Sequence, residues 1–301
     1  MQLLYHALEA LLFSFYNTRM DSLLKKPILL IATDLDGTLL NPQGRVSAGT
    51  LSVLRQVHAR GVRILIASGR PLFSARGRLP ADLIDYVAGL NGQVIWRAAD
   101  GSTQEMPKLD RTECLQLFEL ASRHRILLNY HDETRNLCAV SRRHLLFARA
   151  FRLVQRSRWI FRQVRYRRQT VTTDFASVCP KNASKLCFAG SYRSLLKLDQ
   201  EIDCSRWQGV FVSKNWYEVQ RRGISKGEAL RKILQQEGIP ADQCAAFGDG
   251  ENDISLLQAA GTGVAVANAM AKTRAAADEI CLSSARDGVA RWLQERILLN
   301  Q

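Results

Sequence analysis

The stretch "IATDLDGTLL", residues 31–40, closes an apolar run with two acids, Asp34 and Asp36. The run itself, Ile28 to Ala32, is aliphatic without polar alternation, which is typical of a parallel strand covered on both faces. Asp-x-Asp-Gly alone would equally fit a polar turn. In open α/β sheets, however, ligands bind at the carboxyl ends of strands. The two acids therefore lie where such a fold places its chemistry.

The segments around this strand alternate between strand and helix patterns. From residue 28 to about 90, the strands "ILLIATD", "VRILIAS" and "IDYVAGLNG" are interleaved with helical patterns such as "SAGTLSVLRQVHARG". The rhythm returns at Ser225, where "SKGEALRKILQQEG" carries a capping-box pattern with Glu228 and precedes the strands "CAAFGD" and "TGVAVA". This alternation predicts βαβ units and a Rossmann-like parallel sheet of the α/β class.

Between these two halves the pattern changes. The intervening residues predict hairpin strands, a helix from Arg111 to His124, a strand at "SKLCFAG" and a helix from Ser191 to Ile202, which together read as an inserted α+β module. The predicted division is an N-terminal extension (1–26), a first core segment (27–94), the insertion (95–218) and a second core segment (219–301).

Composition limits the class of protein. The 301 residues, 47% of them hydrophobic, suffice for a core domain with an insertion. No apolar run reaches the ~18 to 20 residues needed to span a bilayer. The seven cysteines are odd in number and scattered, without a C-x-x-C pair, so we interpret them as reduced thiols of a cytoplasmic protein.

The first twenty residues, "MQLLYHALEALLFSFYNTRM", contain an apolar stretch without a preceding basic region or a following cleavage site, so a secretory signal is not expected. Because Met20 could itself begin a chain that leads into the first strand, we interpret this segment as an extension without a catalytic role. An amphipathic docking helix is the alternative.

The net charge of +14 is unevenly distributed. The segment from Arg142 to Arg168 contains ten arginines and no acid, with aromatic residues between them. Such mixtures suit nucleic acid or anionic membrane surfaces. A solvated helix face, or a cationic lid over an anionic substrate, explains the segment equally well. We therefore expect a small anionic ligand and do not expect nucleic acid to be the partner.

Four short motifs each follow an apolar strand or open a helix. They are Asp34-Leu35-Asp36-Gly37-Thr38, Ser68-Gly69-Arg70, Ser225-Lys226-Gly227 and Gly248-Asp249-Gly250-Glu251-Asn252-Asp253. In this order the chain resembles the haloacid dehalogenase (HAD) superfamily of phosphohydrolases, in particular its Cof-type branch with a class IIB cap. The resemblance implies that the insertion is this α+β cap.

The chemistry of phosphoryl transfer supports this resemblance, because it requires a nucleophile, a cation, donors for the phosphoryl oxygens and an acid for the leaving oxygen. Asp34 is the candidate nucleophile, since a carboxylate is ionised at neutral pH and can form an aspartyl phosphate without a separate base. Asp36 is the candidate acid and base, as in the phosphatases of the superfamily.

Three acids at one sheet edge imply a hard divalent cation, most simply Mg²⁺. The predicted metal ligands are Asp34, Asp36 and Asp249, and the family implies that Asp36 contributes through its backbone carbonyl. Asp253 is expected to orient Lys226 or a water on the metal, although an ordinary first-turn helix acid remains the alternative.

The predicted phosphate-binding residues are Leu35, Ser68, Gly69, Lys226 and Asn252. Ser68 and Lys226 open helices or follow strands, where hydroxyl, amide and ammonium donors can meet an anion. Two further residues stay open: Arg70 either faces substrate or pairs with an acid, and Asn91 either lines the substrate cleft or forms a plain turn.

The sequence therefore predicts a Mg²⁺-dependent phosphatase of small phosphorylated metabolites. The family acts on sugar phosphates, pyridoxal phosphate, flavin mononucleotide and a pyrimidine pyrophosphate, and none of the quoted residues selects among them. Two alternatives stay open: a phosphomutase on the same core, and a nucleic-acid-binding protein that uses the arginine-rich insert. The sequence does not determine the oligomeric state.

Overall fold

The computed structural model describes residues 26–131, 136–144 and 170–299. The N-terminal extension before residue 26 and the arginine-rich segment beyond residue 144 lie outside these ranges, so the interpretations of both remain predictions. Within the described ranges, no helix combines the length and the apolar character that a membrane crossing requires.

The described strands and helices follow the chain in this order. The strands are β1 (Leu30–Thr33), β2 (Arg63–Ala67), β3 (Tyr86–Gly89), β4 (Val94–Arg97), β5 (Thr103–Glu105), β6 (Leu109–Asp110), β7 (Leu127–His131), β8 (Asn136–Ala139), β9 (Thr170–Thr172), β10 (Asn182–Ala183), β11 (Leu186–Ala189), β12 (Trp207–Ser213), β13 (Trp216–Arg221), β14 (Cys244–Gly248), β15 (Thr262–Val266) and β16 (Glu279–Cys281). The α-helices are α1 (Ala48–Ala59), α2 (Leu72–Arg76), α3 (Arg111–Ser122), α4 (Phe175–Val178), α5 (Tyr192–Glu201), α6 (Lys226–Glu237), α7 (Ile254–Ala259), α8 (Ala271–Ala275) and α9 (Gly288–Leu293).

Eight strands form the core sheet, in the order β16-β15-β14-β1-β2-β3-β4-β5. The strands from β16 to β3 are parallel, and β4 and β5 extend the sheet as an antiparallel hairpin. Every residue of β1 is buried, as its uninterrupted apolar sequence predicts. The predicted α/β class with a Rossmann-like sheet is confirmed.

The helices of this core begin where the sequence offers caps. Ser47 accepts a hydrogen bond from the amide of Thr50 at the start of α1, and Ser225 accepts one from the amide of Glu228 at the start of α6. Only the serine half of the capping box predicted at α6 is present, because the Glu228 carboxylate pairs with Arg231 and does not reach back to the amide of Ser225. The first turn of α6 is therefore held in place beside the motif residue Lys226.

Six strands form a second sheet, the cap sheet, in the order β12-β13-β11-β7-β8-β9. Its pairs are antiparallel, apart from β8 and β9. Alternate residues of β13 divide between two faces: Tyr217 and Val219 pack in the apolar core of the cap, and their neighbours face the other side.

The two apolar cores define where the parts of the chain divide. The core around β1 includes residues up to Met106 and resumes at Ile224, whereas the cap core runs from Leu109 to Val219. The boundary predicted at residue 94 differs from this division, because the β4–β5 hairpin, which carries no parallel-strand signal, pairs within the core sheet. We therefore propose that the insertion begins after Met106 and ends before Ile224.

Candidate active site

The candidate site lies at the carboxyl edge of the core sheet, where β1, β2 and β14 end side by side. Asp34 follows β1 directly, and its amide donates to the carbonyl of Phe247 in β14, 3.0 Å away. Ser68 follows β2, and Asp249 follows β14. Parallel strands bring their carboxyl ends to one edge, so residues more than 180 positions apart in sequence become neighbours here.

Lys226 lies at the centre of the site. Its Nζ donates to Oδ1 of Asp34 at 2.6 Å and to Oδ1 of Asp253 at 2.5 Å, and all three side chains are almost completely buried. The two carboxylates outweigh the effect of burial and raise the pKa of Lys226. The lysine is therefore a fixed positive charge beside Asp34.

Three carboxylates converge around this lysine. One oxygen from each of Asp34, Asp249 and Asp253 lies within 4.8 Å of the others. Burial, together with the charges of the other two carboxylates, holds the pKa of Asp34 well above its usual range. Burial, together with the charges of Asp253 and Asp36, raises the pKa of Asp249 to about 6.

These residues fit a hard divalent cation. Carboxylate oxygens are the ligands that Mg²⁺ prefers, and a cation relieves the repulsion that raises the two aspartate pKa values. Asp253 contacts Lys226 through Oδ1, and its Oδ2 accepts hydrogen bonds from the backbone amides of Asp249 and Gly250.

The loop after β1 is shaped to approach Asp249. Gly37 has a φ of +84°, and a Cβ added to it would lie 2.4 Å from Oδ2 of Asp249. Only glycine meets both conditions without strain. The next residue, Thr38, donates from its hydroxyl to Oδ1 of Asp249 at 2.8 Å. Thr38 thus joins two of the motifs, a role that the sequence analysis did not assign.

Asp36 and Arg70 form a separate pair. Nε and Nη2 of Arg70 each donate to a different carboxylate oxygen of Asp36 at 2.5 Å. Of the two options left open for Arg70, the structure shows the pairing with an acid. The Asp36 side chain is thereby turned toward Arg70 and is half exposed. Metal binding through the backbone carbonyl of Asp36 stays a prediction, as does its proton transfer.

Three of the predicted phosphate-binding residues, Ser68, Gly69 and Asn252, meet at Asn91. Ser68 is buried, and its Oγ accepts from the amide of Arg70 at 3.2 Å, which leaves its hydroxyl proton available for an anion. Asn252 uses Nδ2 to donate to Oδ1 of Asn91 at 3.1 Å. Gly69 lies against the same Asn91 side chain: a Cβ added to Gly69 would be 3.1 Å from Oδ1 of Asn91.

A cleft of about 560 Å³ opens from the site. Asn91, Lys226 and Asn252 line it from the core, and Gln208 and Gln220 line it from the cap strands β12 and β13. Neither glutamine is among the residues predicted for the site. Their signal is weak, because it consists only of polar residues at alternate positions of two cap strands.

Comparison with known proteins identifies the family. Residues 31–293 match the model of the haloacid dehalogenase-like hydrolases, so the chain belongs to that family. It is 27% identical to phosphatase YwpJ of Bacillus subtilis over a match of 293 residues. That match covers 88% of this chain and 98% of YwpJ. It is likewise 27% identical over 277 residues to pyridoxal phosphate phosphatase YbhA of Escherichia coli, covering 89% of this chain and 98% of YbhA.

A solved structure shows the same fold. The phosphatase BT1666 of Bacteroides thetaiotaomicron superposes with a TM-score of 0.75 at 24% identity, over 90% of this chain and 95% of BT1666. The predicted family is therefore confirmed, and so is the prediction that the protein is an enzyme of the phosphatase class.

Proposed function

We propose that the protein is a Mg²⁺-dependent phosphomonoesterase that hydrolyses small phosphorylated metabolites through an aspartyl phosphate on Asp34. The observation that carries this proposal is the position of Asp34 at the end of β1, buried and 2.6 Å from the ammonium of Lys226. Lys226, together with Mg²⁺ when it is bound, would offset the charge of the nucleophile and that of the incoming phosphate.

In the first step an oxygen of Asp34 attacks phosphorus, and the bond from phosphorus to the leaving alcohol breaks. Asp36 supplies a proton to the leaving oxygen, for which its carboxyl group must exchange Arg70 for the substrate. In the second step water attacks the phosphoryl group, Asp36 accepts the water proton, and phosphate departs from Asp34.

The remaining residues hold the phosphoryl group. The Ser68 hydroxyl, the amides of Leu35 and Gly69, and the Asn252 side chain are the proposed donors, while Lys226 supplies a fixed charge. Asp34, Asp249 and the backbone carbonyl of Asp36 would hold Mg²⁺, which would neutralise charge on the phosphoryl oxygens. Asp253 keeps Lys226 in place from the opposite side.

A panel of phosphorylated metabolites, with free phosphate as the readout, tests this proposal. We expect hydrolysis that chelation removes, that Mg²⁺ restores, and that Asp34→Asn lacks. Acid quenching after exposure to radiolabelled acetyl phosphate should show label on the wild-type chain but not on Asp34→Asn. Full activity after exhaustive chelation would contradict the metal role, and conversion of a sugar phosphate to its isomer without phosphate release would indicate a mutase.

A further inference from the structure

The turn that follows β3 has an unusual backbone. Leu90 and Asn91 both have a positive φ, 52° and 58°, in the left-handed region that non-glycine residues rarely adopt. Gly92 continues the turn with a φ of 91°, and a Cβ added to it would lie 2.3 Å from the carbonyl oxygen of Ser225. Such conformations persist where the surroundings hold them in place, and they cluster at functional sites.

Asn91 at the centre of this turn contacts three parts of the molecule. Its amide donates to the carbonyl of Ser68 at 3.0 Å. Its side-chain Oδ1 accepts from Nδ2 of Asn252 at 3.1 Å, and its Nδ2 donates to Oε2 of Glu218 at 3.0 Å. One buried residue, through its backbone amide and its side chain, thus joins two predicted phosphate-binding loops of the core to a strand of the cap.

Glu218 is the contribution of the cap to this junction. It lies in β13 between Tyr217 and Val219, which pack in the cap core, so its own side chain faces the opposite side and reaches Asn91. Lys185 Nζ donates to Oε2 of Glu218 at 2.7 Å and approaches the carbonyl of Gly69 at 3.4 Å. The cap therefore contacts the core at a second point, the loop of Ser68 and Gly69.

Glu218 is held in the ionised form. Its burial acts to raise the pKa, but Lys185 and the hydrogen bonds from Trp216 and Asn91 outweigh burial and keep the pKa of this carboxyl below its ordinary value. An ionised carboxylate only accepts hydrogen bonds. Asn91 must therefore present Nδ2 to Glu218, which turns Oδ1 toward Asn252.

The orientation of the Asn91 side chain determines which N–H group of Asn252 remains available to bind a phosphoryl oxygen. The Asn252 amide nitrogen carries two N–H groups, and one of them is used on Oδ1 of Asn91. The other is then free to meet a phosphoryl oxygen. We propose that Glu218 is a positioning residue of the cap. Its hydrogen bond fixes the orientation of the Asn91 side chain, and Asn91 in turn directs the free N–H group of Asn252 toward the phosphoryl group. This inference rests on the proposed phosphatase function.

The sharpest test is Glu218→Gln, because glutamine keeps the shape but both donates and accepts, so that it no longer dictates the orientation of Asn91. With p-nitrophenyl phosphate and Mg²⁺, we expect kcat to fall about tenfold and the inhibition constant of orthovanadate to rise by a similar factor. Asn91→Ala should act alike, and the double variant should be no worse than the more impaired single variant, because the two residues act as one unit.

The matched control is Glu113→Gln. Glu113 is a buried cap carboxylate that accepts from Nε1 of Trp207 and pairs with Arg206, and its partners among the described residues all lie in the cap. It should lower the thermal midpoint without changing kcat/KM by more than about twofold. Wild-type kinetics and orthovanadate inhibition in Glu218→Gln, or losses that multiply in the double variant, would overturn the inference.

A readout independent of turnover separates this inference from the proposed function. Hydrogen exchange of the amide of Asn91, which is bonded to Ser68, should accelerate in Glu218→Gln and remain as in the wild type in Glu113→Gln. If the wild type hydrolyses no phosphate ester, the proposed function fails, yet exchange still decides the coupling. Unchanged exchange in Glu218→Gln would overturn it.

Discussion

The buried carboxylates of the core and of the cap are in opposite electrostatic conditions. At the core site, three carboxylates and one ammonium, those of Asp34, Asp249, Asp253 and Lys226, leave two negative charges together, and the pKa values of Asp34 and Asp249 are raised. In the cap, Glu218 has its own lysine and its pKa is lowered. The negative charge of the core site is therefore not balanced by the chain itself, whereas the charge of Glu218 in the cap is balanced by Lys185.

The largest expected effect is the loss of activity in Asp34→Asn. We expect a fall in kcat/KM of at least about a thousandfold, since the variant removes the attacking atom. Without Mg²⁺ the variant should be no less stable than the wild type, because the wild-type charge is disfavoured at this position and the amide oxygen can still accept from Lys226.

Steady-state kinetics and thermal unfolding of both proteins check this prediction. The matched control is Asp242→Asn, an exposed acid at the far side of the sheet that pairs with Lys26. More than a thousandth of the wild-type activity in Asp34→Asn would contradict the assignment of the nucleophile.

Lys226→Met removes the ammonium that bonds to the carboxylates of Asp34 and Asp253. Because removing one partner leaves buried charges uncompensated, we expect the free energy of unfolding without metal to fall by about 3–5 kcal/mol at pH 7. Added Mg²⁺ should restore part of the loss. Chemical denaturation with and without Mg²⁺ measures both.

Lys232→Met is the control for that substitution. Lys232 lies in α6, as Lys226 does, and its amine contacts the sulfur of Met106 instead of a carboxylate. Its unfolding free energy should stay within about 1 kcal/mol of the wild type, as is usual away from buried charge networks. Equal losses in the two variants would mean that the core carboxylates do not depend on Lys226.

The effect of Asp249→Asn on the free energy of unfolding should have opposite signs without and with Mg²⁺. Without Mg²⁺ at pH 7, we expect the variant to be more stable than the wild type by about 1–3 kcal/mol. The pKa of the Asp249 carboxyl is raised to about 6, so its ionisation at pH 7 destabilises the folded wild type, and asparagine has no such charge. With saturating Mg²⁺ the order should invert, since ligand binding stabilises only the protein that binds it.

Differential scanning calorimetry of wild type and Asp249→Asn at several Mg²⁺ concentrations checks this crossover. The same titration with Ca²⁺ reports whether the site discriminates by geometry, since Mg²⁺ requires a tight octahedron. Parallel curves for the two proteins would show that Asp249 does not take part in binding the cation.

The sequence predicts the core site better than the cap, and the reason is physical. Asp34, Ser68 and Asp249 each follow an apolar strand, and parallel strands bring such positions to one edge whatever the loops do. The roles of these residues nevertheless stay predictions. Glu218 and Asn91 are 127 positions apart, and their contact depends on how one sheet sits over another.

Two other features were beyond local patterns for related reasons. The pairing of Arg70 with Asp36 depends on how the loops after β1 and β2 lie against each other, and the sequence analysis left it as one of two options. The β4–β5 hairpin joins the core sheet through antiparallel pairing, which an analysis based on βαβ rhythm assigns to the insertion. In both cases the deciding contact lies outside the segment that carries the pattern.

The smallest expected effect concerns the pH dependence of Glu218. Its pKa in the folded state lies below the ordinary value of 4.5, so its contribution to stability is fully present above that pH and is lost as the pH falls through the folded pKa. Glu218→Gln lacks this contribution. We expect it to be about 1–3 kcal/mol less stable than the wild type at pH 7, as for hydrogen bonds to a charged group. Denaturation at pH 7, 5 and about 3 should show this difference constant between the first two and narrower at the last. A difference that widens in acid would mean that the cap carboxylate, like those of the core, is destabilised by its charge, and the contrast between the two regions would fail.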